Sequence, residues 1–442
     1  MKIFTVLMIP WLLFAAAPSQ AQETLCITDV TLIDASHPEP RPGMTVIVRD
    51  GLIADVAPAG RLTVPEGATV VDGTGRYLIP GLWDAHVHLS WAGAGALEGF
   101  IRHGVTSVRD MGSDLSDVRY WRAAVREGKI QGPRILTAGP AIESAGFMEM
   151  IGQVDIALDI PLGPALLPTR VGVSDEDGAL STVRALHEKG VDFVKVRSVP
   201  SGPVYRAILE AARDAGLMVV GHEPLVVPLA EASELGQRSI EHLPFLSMED
   251  TEEARRRALF EGFAHNDTWV VPTLVAWQTY RLVPDSISLR AIEQLRRAPG
   301  RRRQFISDGL LDFWEMQLAI KALESPMDWQ GLMDRGLADL HLMRESGVRF
   351  MAGSDFSLPL LEPGRSLHRE LVLMVEEGGL SPYEAIECAT LNPAVFFGIS
   401  DSLGTIETGR IADLVLLDAD PLADIANIRA VSTVIAGGRV VR

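Results

Sequence analysis

The sequence predicts an α/β protein in which a (β/α)8 barrel is joined to a small discontinuous β-sandwich domain formed from both chain ends. Strand-like and helix-like segments alternate through the middle of the chain, which is typical of repeated βα units. Short alternating strands occupy both ends, and histidines and carboxylates follow several central strands. A chain of 442 residues is long enough for one large and one small domain.

The first segment, residues 1–21, has the features of a signal peptide. Lys2 gives it a positive start, an apolar run follows, and Ser19-Gln20-Ala21 supplies a cleavage site with small residues. The apolar run is too short to span a bilayer comfortably, and no later run of about 20 apolar residues follows. We therefore expect an exported protein, periplasmic or secreted, with no membrane span after cleavage. An uncleaved anchor is the alternative.

Both ends of the mature chain predict strands of one small domain. Asp50-Gly51 lies between two β-rich arms within residues 46–56, which is a strong hairpin signal. Residues 412–417 and 431–441 repeat this pattern, with Gly437-Gly438 as a turn. The predicted boundaries are residues 22–79 and 403–442 for the two parts of the small β domain, and 80–402 for the barrel.

The central segment contains eight candidate strands, which is the number that closes a (β/α)8 barrel. Helical patterns such as residues 179–189 and 204–215 separate most of them. Two connections are long, over residues 139–177 and 275–347. In chain order the candidate strands are residues 82–89, 105–109, 134–138, 192–196, 217–221, 239–242, 269–274 and 348–352.

The charge balance argues against a polyanionic partner. The chain has 40 Lys and Arg against 58 Asp and Glu, and its net charge is −18. No face is then expected to be basic enough for nucleic acid, so we expect a small-molecule substrate. Cys26 and Cys388 cannot make a disulfide framework, and we expect two packed thiols.

The most informative motif is His86-Val87-His88 on the first candidate strand. Residues two apart on a strand point to the same face, so the two imidazoles could share a divalent ion such as zinc. Active sites of such barrels lie at the carboxyl ends of the strands, where this chain places further metal-capable side chains. The candidate metal ligands are His86, His88, Lys195, His222, His242 and Asp355.

Lys195 needs a separate argument, because an ammonium cannot bind a cation and its unpaired burial is costly. Burial can keep a lysine neutral, and a neutral amine can add carbon dioxide to form a carbamate. The carbamate is anionic and has two oxygens, so it could bridge two metals. The alternative is an unmodified lysine that points outward or pairs with Asp192 or Glu223.

Two residues near Lys195 are candidates for substrate contacts. Arg197 follows on the same strand face and could pair with a substrate carboxylate, and Tyr205 begins the next helix. An ion pair of Arg197 with Asp192 or Glu223 is the alternative. The histidines that we expect to be surface or packing residues are His103, His187, His265, His341 and His368.

In these motifs the chain resembles the metal-dependent amidohydrolase superfamily. The resemblance covers nearly all of the mature chain. It is nearest to the branch with a carboxylated lysine and two metals, near Xaa-Pro and Xaa-Arg/Lys dipeptidases and imidazolonepropionase-like proteins. Relatives in this branch often carry Gly-Gly-His after the third strand, where this chain has residues 142–148, Ile-Glu-Ser-Ala-Gly-Phe-Met. The matching elements are Pro80 to His88, Lys195, His222, Glu241-His242, Gly353 to Asp355, and residues 404–414.

The resemblance implies two divalent ions, zinc above all. These ions would lower the pKa of a water molecule. Asp355 would accept the proton of that water and later deliver it to the departing nitrogen of an amide, as in a dipeptide or an N-acyl amino acid. The implied ligands are, for one ion, His86, His88, Lys195 and Asp355, and, for the other, Lys195, His222 and His242.

Two alternatives stay open from the sequence. One is a one-metal deaminase or cyclic-amide hydrolase, in which Lys195 is structural and each chain holds about one ion instead of two. The other is a non-catalytic periplasmic binding protein with a degenerate site, although the complete ligand set argues against it.

Overall fold

The structure, a computed structural model, describes residues 24–158, 162–244, 251–298, 303–322, 324 and 327–442. The predicted signal peptide, residues 1–21, lies outside the described residues. In chain order the strands are β1 (Thr24–Leu32), β2 (Arg41–Arg49), β3 (Leu52–Pro58), β4 (Thr69–Asp72), β5 (Tyr77–Pro80), β6 (Leu82–Val87), β7 (Val105–Asp110), β8 (Arg134–Thr137), β9 (Ala141–Ser144), β10 (Arg170–Val173), β11 (Val194–Val196), β12 (Val219–Gly221), β13 (Gln237–Glu241), β14 (Trp269–Val271), β15 (Leu414–Leu417), β16 (Val431–Ala436) and β17 (Arg439–Val440).

Helices separate most of the central strands. None of the helices in the described ranges is both long enough and apolar enough to cross a membrane. In chain order the helices are α1 (Gly95–Arg102), α2 (Leu115–Arg126), α3 (Ala145–Leu158), α4 (Leu162–Leu166), α5 (Glu176–Glu188), α6 (Gly202–Asp214), α7 (Leu229–Glu234), α8 (Glu253–Asn266), α9 (Leu274–Ala276), α10 (Asp285–Arg297), α11 (Asp308–Lys321), α12 (Trp329–Glu345), α13 (Arg365–Glu376), α14 (Pro382–Cys388) and α15 (Leu391–Phe396).

One sheet combines strands from both ends of the described chain, in the order β17-β16-β15-β5-β1-β2-β3 with β4 paired to β1. β15 pairs antiparallel with β5, and this attaches the C-terminal strands to the N-terminal ones. Alternate residues of these strands, such as Ile27, Val46 and Leu414, are buried in a common apolar cluster. The prediction of a β unit built from both chain ends is confirmed. Cys26 and Cys388 are buried and unpaired, as expected.

Two turns explain the hairpins of this sheet. Asp50 and Gly51 have φ values of +51° and +82° and join β2 to β3. Gly437 and Gly438, with φ values of +54° and +80°, join β16 to β17. Positive φ at both central positions is the requirement of the type I′ hairpin turn. The two turns touch, because a Cβ on Gly438 would lie 2.5 Å from the Cα of Gly51.

The central strands form two parallel groups, β6-β7-β8 and β10-β9-β11-β12-β13-β14. The N–H of Asp192 donates to the carbonyl of Thr137 and connects the two groups between β8 and β11. Seven of the eight predicted barrel strands correspond to these elements. Predicted strand 269–274 is shorter, because Thr273 adopts a left-handed φ of +49° and α9 begins at Leu274.

The eighth predicted strand, residues 348–352, closes the ring without forming a regular strand. The N–H of Met351 donates to the carbonyl of Val270, and the N–H of Ala85 donates to the carbonyl of Ala352. This segment therefore lies between β14 and β6, where a (β/α)8 barrel requires it.

The long connection over residues 139–177 is more structured than a loop. It contains β9, α3, α4 and β10, and β9 pairs in parallel with both β10 and β11. These elements extend the wall of the barrel beside β11. Sequence reasoning missed the two strands, because each has only four residues and no clear alternation.

Gly81 lies where the chain passes from the small sheet into the barrel, and we predict that Gly81→Ala destabilises the protein. An added Cβ would overlap Oγ1 of the buried Thr106 and would lie 2.9 Å from its Cγ2. Such overpacking should lower the free energy of unfolding by about 1–3 kcal/mol, measured by urea denaturation. Gly262→Ala in α8 is the matched control, since its added methyl meets open space. An unchanged urea midpoint for Gly81→Ala would contradict the tight junction.

Candidate active site

Three of the predicted ligands converge at one end of the barrel. His86 lies in β6, His88 follows it directly, and Asp355 follows the segment that closes the ring. The Nε2 atoms of His86 and His88 lie 3.4 Å and 3.5 Å from Oδ1 of Asp355. One ligand atom from each of the three residues lies within 4.8 Å of the others, a spacing that suits a single divalent ion.

The second ring nitrogen of each of these histidines is held by the protein. Nδ1 of His86 lies 2.9 Å from Oε2 of Glu241. Nδ1 of His88 lies 3.2 Å from the carbonyl oxygen of Gly112. Such contacts fix the tautomer and the ring orientation, so that each Nε2 is left to bind an ion.

His242 and His222 place two further imidazoles beside the first group. The ring centroid of His242 lies 5.0 Å from that of His86 and 5.1 Å from that of His222. Nδ1 of His242 lies 2.7 Å from Oγ1 of Thr273, which fixes this ring in the same way. Four of the predicted histidine ligands are therefore neighbours.

The backbone is strained at this end of the barrel. His242, Thr273 and Asp355 are all non-glycine residues in the left-handed region, with φ values of +67°, +49° and +57°. Each such residue costs about 1–3 kcal/mol, and the cost is tolerated where the surrounding structure fixes the conformation. His242 and Asp355 are candidate ligands, and Thr273 contacts the ring of His242. The strained backbone therefore occurs at residues that position the site.

Lys195 reaches the same cavity from β11. The residue is 1% exposed, and its Nζ has no hydrogen-bond partner among the described residues. Asp192, a predicted alternative partner, instead pairs with Arg122 at 2.9 Å. Burial lowers the pKa of Lys195 to about 7, so a neutral amine is accessible near neutral pH. This orphaned buried nitrogen fits a lysine that carries an added carboxyl group and contacts metal.

The electrostatics of the site favour the protonation states that bind metals. Burial lowers the pKa of His86 to about 3 and that of His242 to about 4, and it also lowers the pKa of His222. Burial alone would raise the pKa of Asp355, but the adjacent His86 and other imidazoles lower it overall. Neutral imidazoles and an ionised carboxylate are the forms that coordinate a cation.

A buried ion pair lies beneath the histidines. Nη2 of Arg109 donates to Oε2 of Glu241 at 2.6 Å, and that oxygen also contacts His86. Arg109 donates further to Ser239 Oγ at 3.1 Å and to the carbonyl of Ala85 at 2.5 Å. Sequence reasoning missed Arg109. The signal was present, since Arg109, like Lys195, is a cation within a buried strand.

Asp84 fixes the segment that carries Asp355. Its Oδ1 accepts the N–H of Ser354 at 2.9 Å, and its Oδ2 accepts the Ser354 hydroxyl at 2.5 Å. Burial raises the pKa of Asp84 to about 7. Asp84 thus ties β6 to the residue immediately before Asp355, a role that sequence reasoning also missed.

A cavity of about 630 Å³ opens above these residues. Five of the predicted ligands line it, namely His88, Lys195, His222, His242 and Asp355. Much of the remaining wall is apolar or aromatic and includes Trp91, Phe147, Ile151, Trp277 and Tyr280. None of the five histidines predicted to be surface or packing residues is part of this wall.

Of the two candidate substrate contacts, Arg197 and Tyr205, one lines the cavity and the other does not. Arg197 lines the cavity, and its Nη1 donates to Oε2 of Glu143 at 2.8 Å, so its acidic partner is Glu143 and not Asp192. The prediction for Tyr205 is wrong. Tyr205 is fully buried on the inner face of α6, and its hydroxyl donates to Gln237.

Known proteins resemble this chain along most of its length. An adenine deaminase from Rubrobacter xylanophilus is 26% identical over 430 residues, which cover 97% of this chain but only 59% of the deaminase. An imidazolonepropionase from Symbiobacterium thermophilum is 26% identical over 397 residues, which cover 85% of this chain and 84% of the enzyme. The crystal structure of a Xaa-Pro dipeptidase with bound methionine in the active site aligns with a TM-score of 0.68 at 21% identity. It covers 95% of this chain and 99% of the dipeptidase chain, a likeness that supports the barrel fold.

A family model described as the Amidohydrolase family matches residues 77–441. The match includes the whole barrel, every candidate ligand and the C-terminal strands of the small sheet. The chain therefore belongs to the Amidohydrolase family, a family of enzymes that hydrolyse carbon–nitrogen bonds.

Proposed function

We propose that this protein is an exported, metal-dependent hydrolase that cleaves an amide bond in a dipeptide or an N-acyl amino acid. The observation that carries the proposal is the convergence of His86, His88 and Asp355 beside the buried amine of Lys195, which has no hydrogen-bond partner among the described residues. The names of two relatives, imidazolonepropionase and Xaa-Pro dipeptidase, support hydrolysis of a carbon–nitrogen bond. Export rests on the signal-like residues 1–21.

The donor set suits two divalent ions, and zinc fits it best, because imidazole and carboxylate are its usual nitrogen and oxygen ligands. A carboxylated Lys195 would supply the bridge between them. When bound, such ions lower the pKa of water and polarise a carbonyl group. One ion would be held by His86, His88 and Asp355 and the other by His222 and His242, with Lys195 shared between them.

We assign the proton transfers to Asp355. Its carboxylate is ionised and lines the cavity in which the substrate must lie. It would accept a proton from the water that attacks the carbonyl carbon. It would then donate that proton to the amide nitrogen as the carbon–nitrogen bond breaks. The products are an amine and a carboxylic acid, so one water is consumed for each bond cleaved.

A second candidate is a one-metal deaminase or cyclic-amide hydrolase. The match to an adenine deaminase favours it, and in this case Lys195 would remain an unmodified structural residue. The number of bound ions distinguishes the two candidates. A non-catalytic binding protein has no support from the family or from the ligand set.

We predict that zinc-loaded protein hydrolyses members of a library of dipeptides and N-acyl amino acids. Release of the free amine would be measured by mass spectrometry. Protein from the same preparation, stripped of metal with a chelator, is the control and should be inactive until zinc is restored. If protein holding two ions per chain cleaves no member of the library, the proposed substrate class is wrong.

We predict that Asp355→Asn lowers kcat by about 10²–10⁴-fold, because the amide cannot accept the proton of the attacking water. Metal content, measured by elemental analysis, should fall much less than turnover. Asp339→Asn is the control, since Asp339 is a buried carboxylate that pairs with Arg256 away from the cavity. Near-normal turnover of Asp355→Asn would remove Asp355 from the proposed role.

We predict that Lys195→Ala binds at least one ion fewer than the wild type, because the bridging group is lost. Wild-type protein equilibrated with isotope-labelled bicarbonate should give a carbamate signal by NMR that the variant lacks. Lys189→Ala, at an exposed helix end, should keep both the ions and the signal. A wild type with one ion and no carbamate signal would favour the deaminase-like candidate.

A further inference from the structure

Two arginines in the wall of the active-site cavity share one buried carboxylate, that of Glu143. Nη1 of Arg197 lies 2.8 Å from Oε2 of Glu143, and Nη1 of Arg170 lies 3.7 Å from the same oxygen. The other oxygen of Glu143 accepts a hydrogen bond from the hydroxyl of Ser198. Two guanidinium groups and one carboxylate leave this trio with one positive charge in excess.

Arg170 is the less compensated of the two arginines. Its side chain is only 10% exposed, and its Nε has no hydrogen-bond partner in the described part of the chain. Burial and the neighbouring charge of Arg197 lower the pKa of Arg170 to about 9, so it stays a cation at neutral pH. A buried cation with incomplete partners is stabilised by an anion that enters beside it.

The excess charge faces the reaction centre. Arg170 and Arg197 line the same cavity as Lys195, His222 and Asp355, and Arg197 follows Lys195 by two residues. The ring centroid of Phe147 lies 4.7 Å from the guanidinium carbon of Arg197, a distance that allows a cation–π contact.

The third arginine of this cavity is already compensated. Arg281 forms an ion pair with Glu324, and its guanidinium carbon lies 4.7 Å and 4.3 Å from the ring centroids of Tyr280 and Trp329. Among the described arginines of the cavity wall, the excess positive charge therefore lies at Arg170 and Arg197.

We propose that Arg170 and Arg197 together bind a free carboxylate of the substrate, and that Glu143 holds the two guanidinium groups in place. The inference rests on the proposed function and names its substrate class. The preferred substrates are amides whose amine part is an amino acid with an unblocked carboxylate. A guanidinium donates to both oxygens of a carboxylate, so one bound carboxylate neutralises the excess charge and satisfies the open donors.

The site depends on the inserted elements between the third and fourth barrel strands. Glu143 lies in β9 and Arg170 in β10, and only Arg197 follows a barrel strand. Phe147, which contacts Arg197, follows Glu143 in the same inserted segment, at the start of α3.

The test compares an N-acyl amino acid that the zinc-loaded enzyme cleaves with its carboxamide, which lacks the negative charge. Wild type should prefer the free acid by at least about tenfold in kcat/KM, as expected for a charged hydrogen bond. Arg170→Gln and Arg197→Gln should each raise KM for the acid by a similar factor, with little change in kcat. Each variant should therefore lose most of the preference for the acid over the carboxamide. Arg206→Gln is the control, because Arg206 pairs with Glu231 on α7 outside the cavity wall.

Calorimetric titration of an uncleaved N-acyl amino acid and its carboxamide into the zinc-loaded protein gives a second readout that needs no turnover. Tighter binding of the acid by wild type, lost in Arg170→Gln, would support the carboxylate site. Equal binding and equal cleavage of acid and carboxamide by wild type would overturn the inference and leave the proposed hydrolase intact. Because that comparison uses wild type alone, it decides the matter even if a variant fails to fold.

Discussion

The active-site end of the barrel depends on the buried ion pair between Arg109 and Glu241. Two charges removed from water are costly unless every donor and acceptor is satisfied. Here Ser239, the Ala85 carbonyl and the Nδ1 of His86 complete the set. The same contacts that satisfy the buried charges also fix the orientation of His86, whose Nε2 faces Asp355.

The rest of the site is held by similar buried polar contacts at strand ends. Glu370 in α13 accepts the N–H groups of Leu274 and Val275 at 3.0 Å and 2.7 Å, and so holds the turn in which Thr273 contacts His242. Burial raises the pKa of Glu370 to about 8. The left-handed backbone at the site persists because such contacts over-determine it. The large apolar clusters between barrel and helices supply the stability that tolerates this strain.

Much of the fold and of the candidate ligand set could be predicted, because both depend on local pattern. Strand periodicity located seven barrel strands, and histidines at strand ends indicated the site. Contacts between segments that are far apart in the sequence could not be predicted from local pattern. Glu143 and Arg170 meet Arg197 only because short strands in a long connection extend the sheet. The burial of Tyr205 could have been predicted from the sequence. The buried residues of α6 repeat at helical spacing, and Tyr205 is one of them beside Val204 and Ile208.

The pairing of β5 with β15 has a consequence for synthesis of the chain. Among the described strands, one edge of β5 pairs only with β15, which leaves the ribosome after the entire barrel has been made. Until then this edge offers unpaired backbone groups to any other extended chain. Completion of the small sheet is therefore a late, long-range step in folding. Nascent or truncated chains that stop before β15 expose an unpaired strand edge that is prone to aggregation. Along the chain, the barrel is thus inserted between the first and last strands of a single sheet.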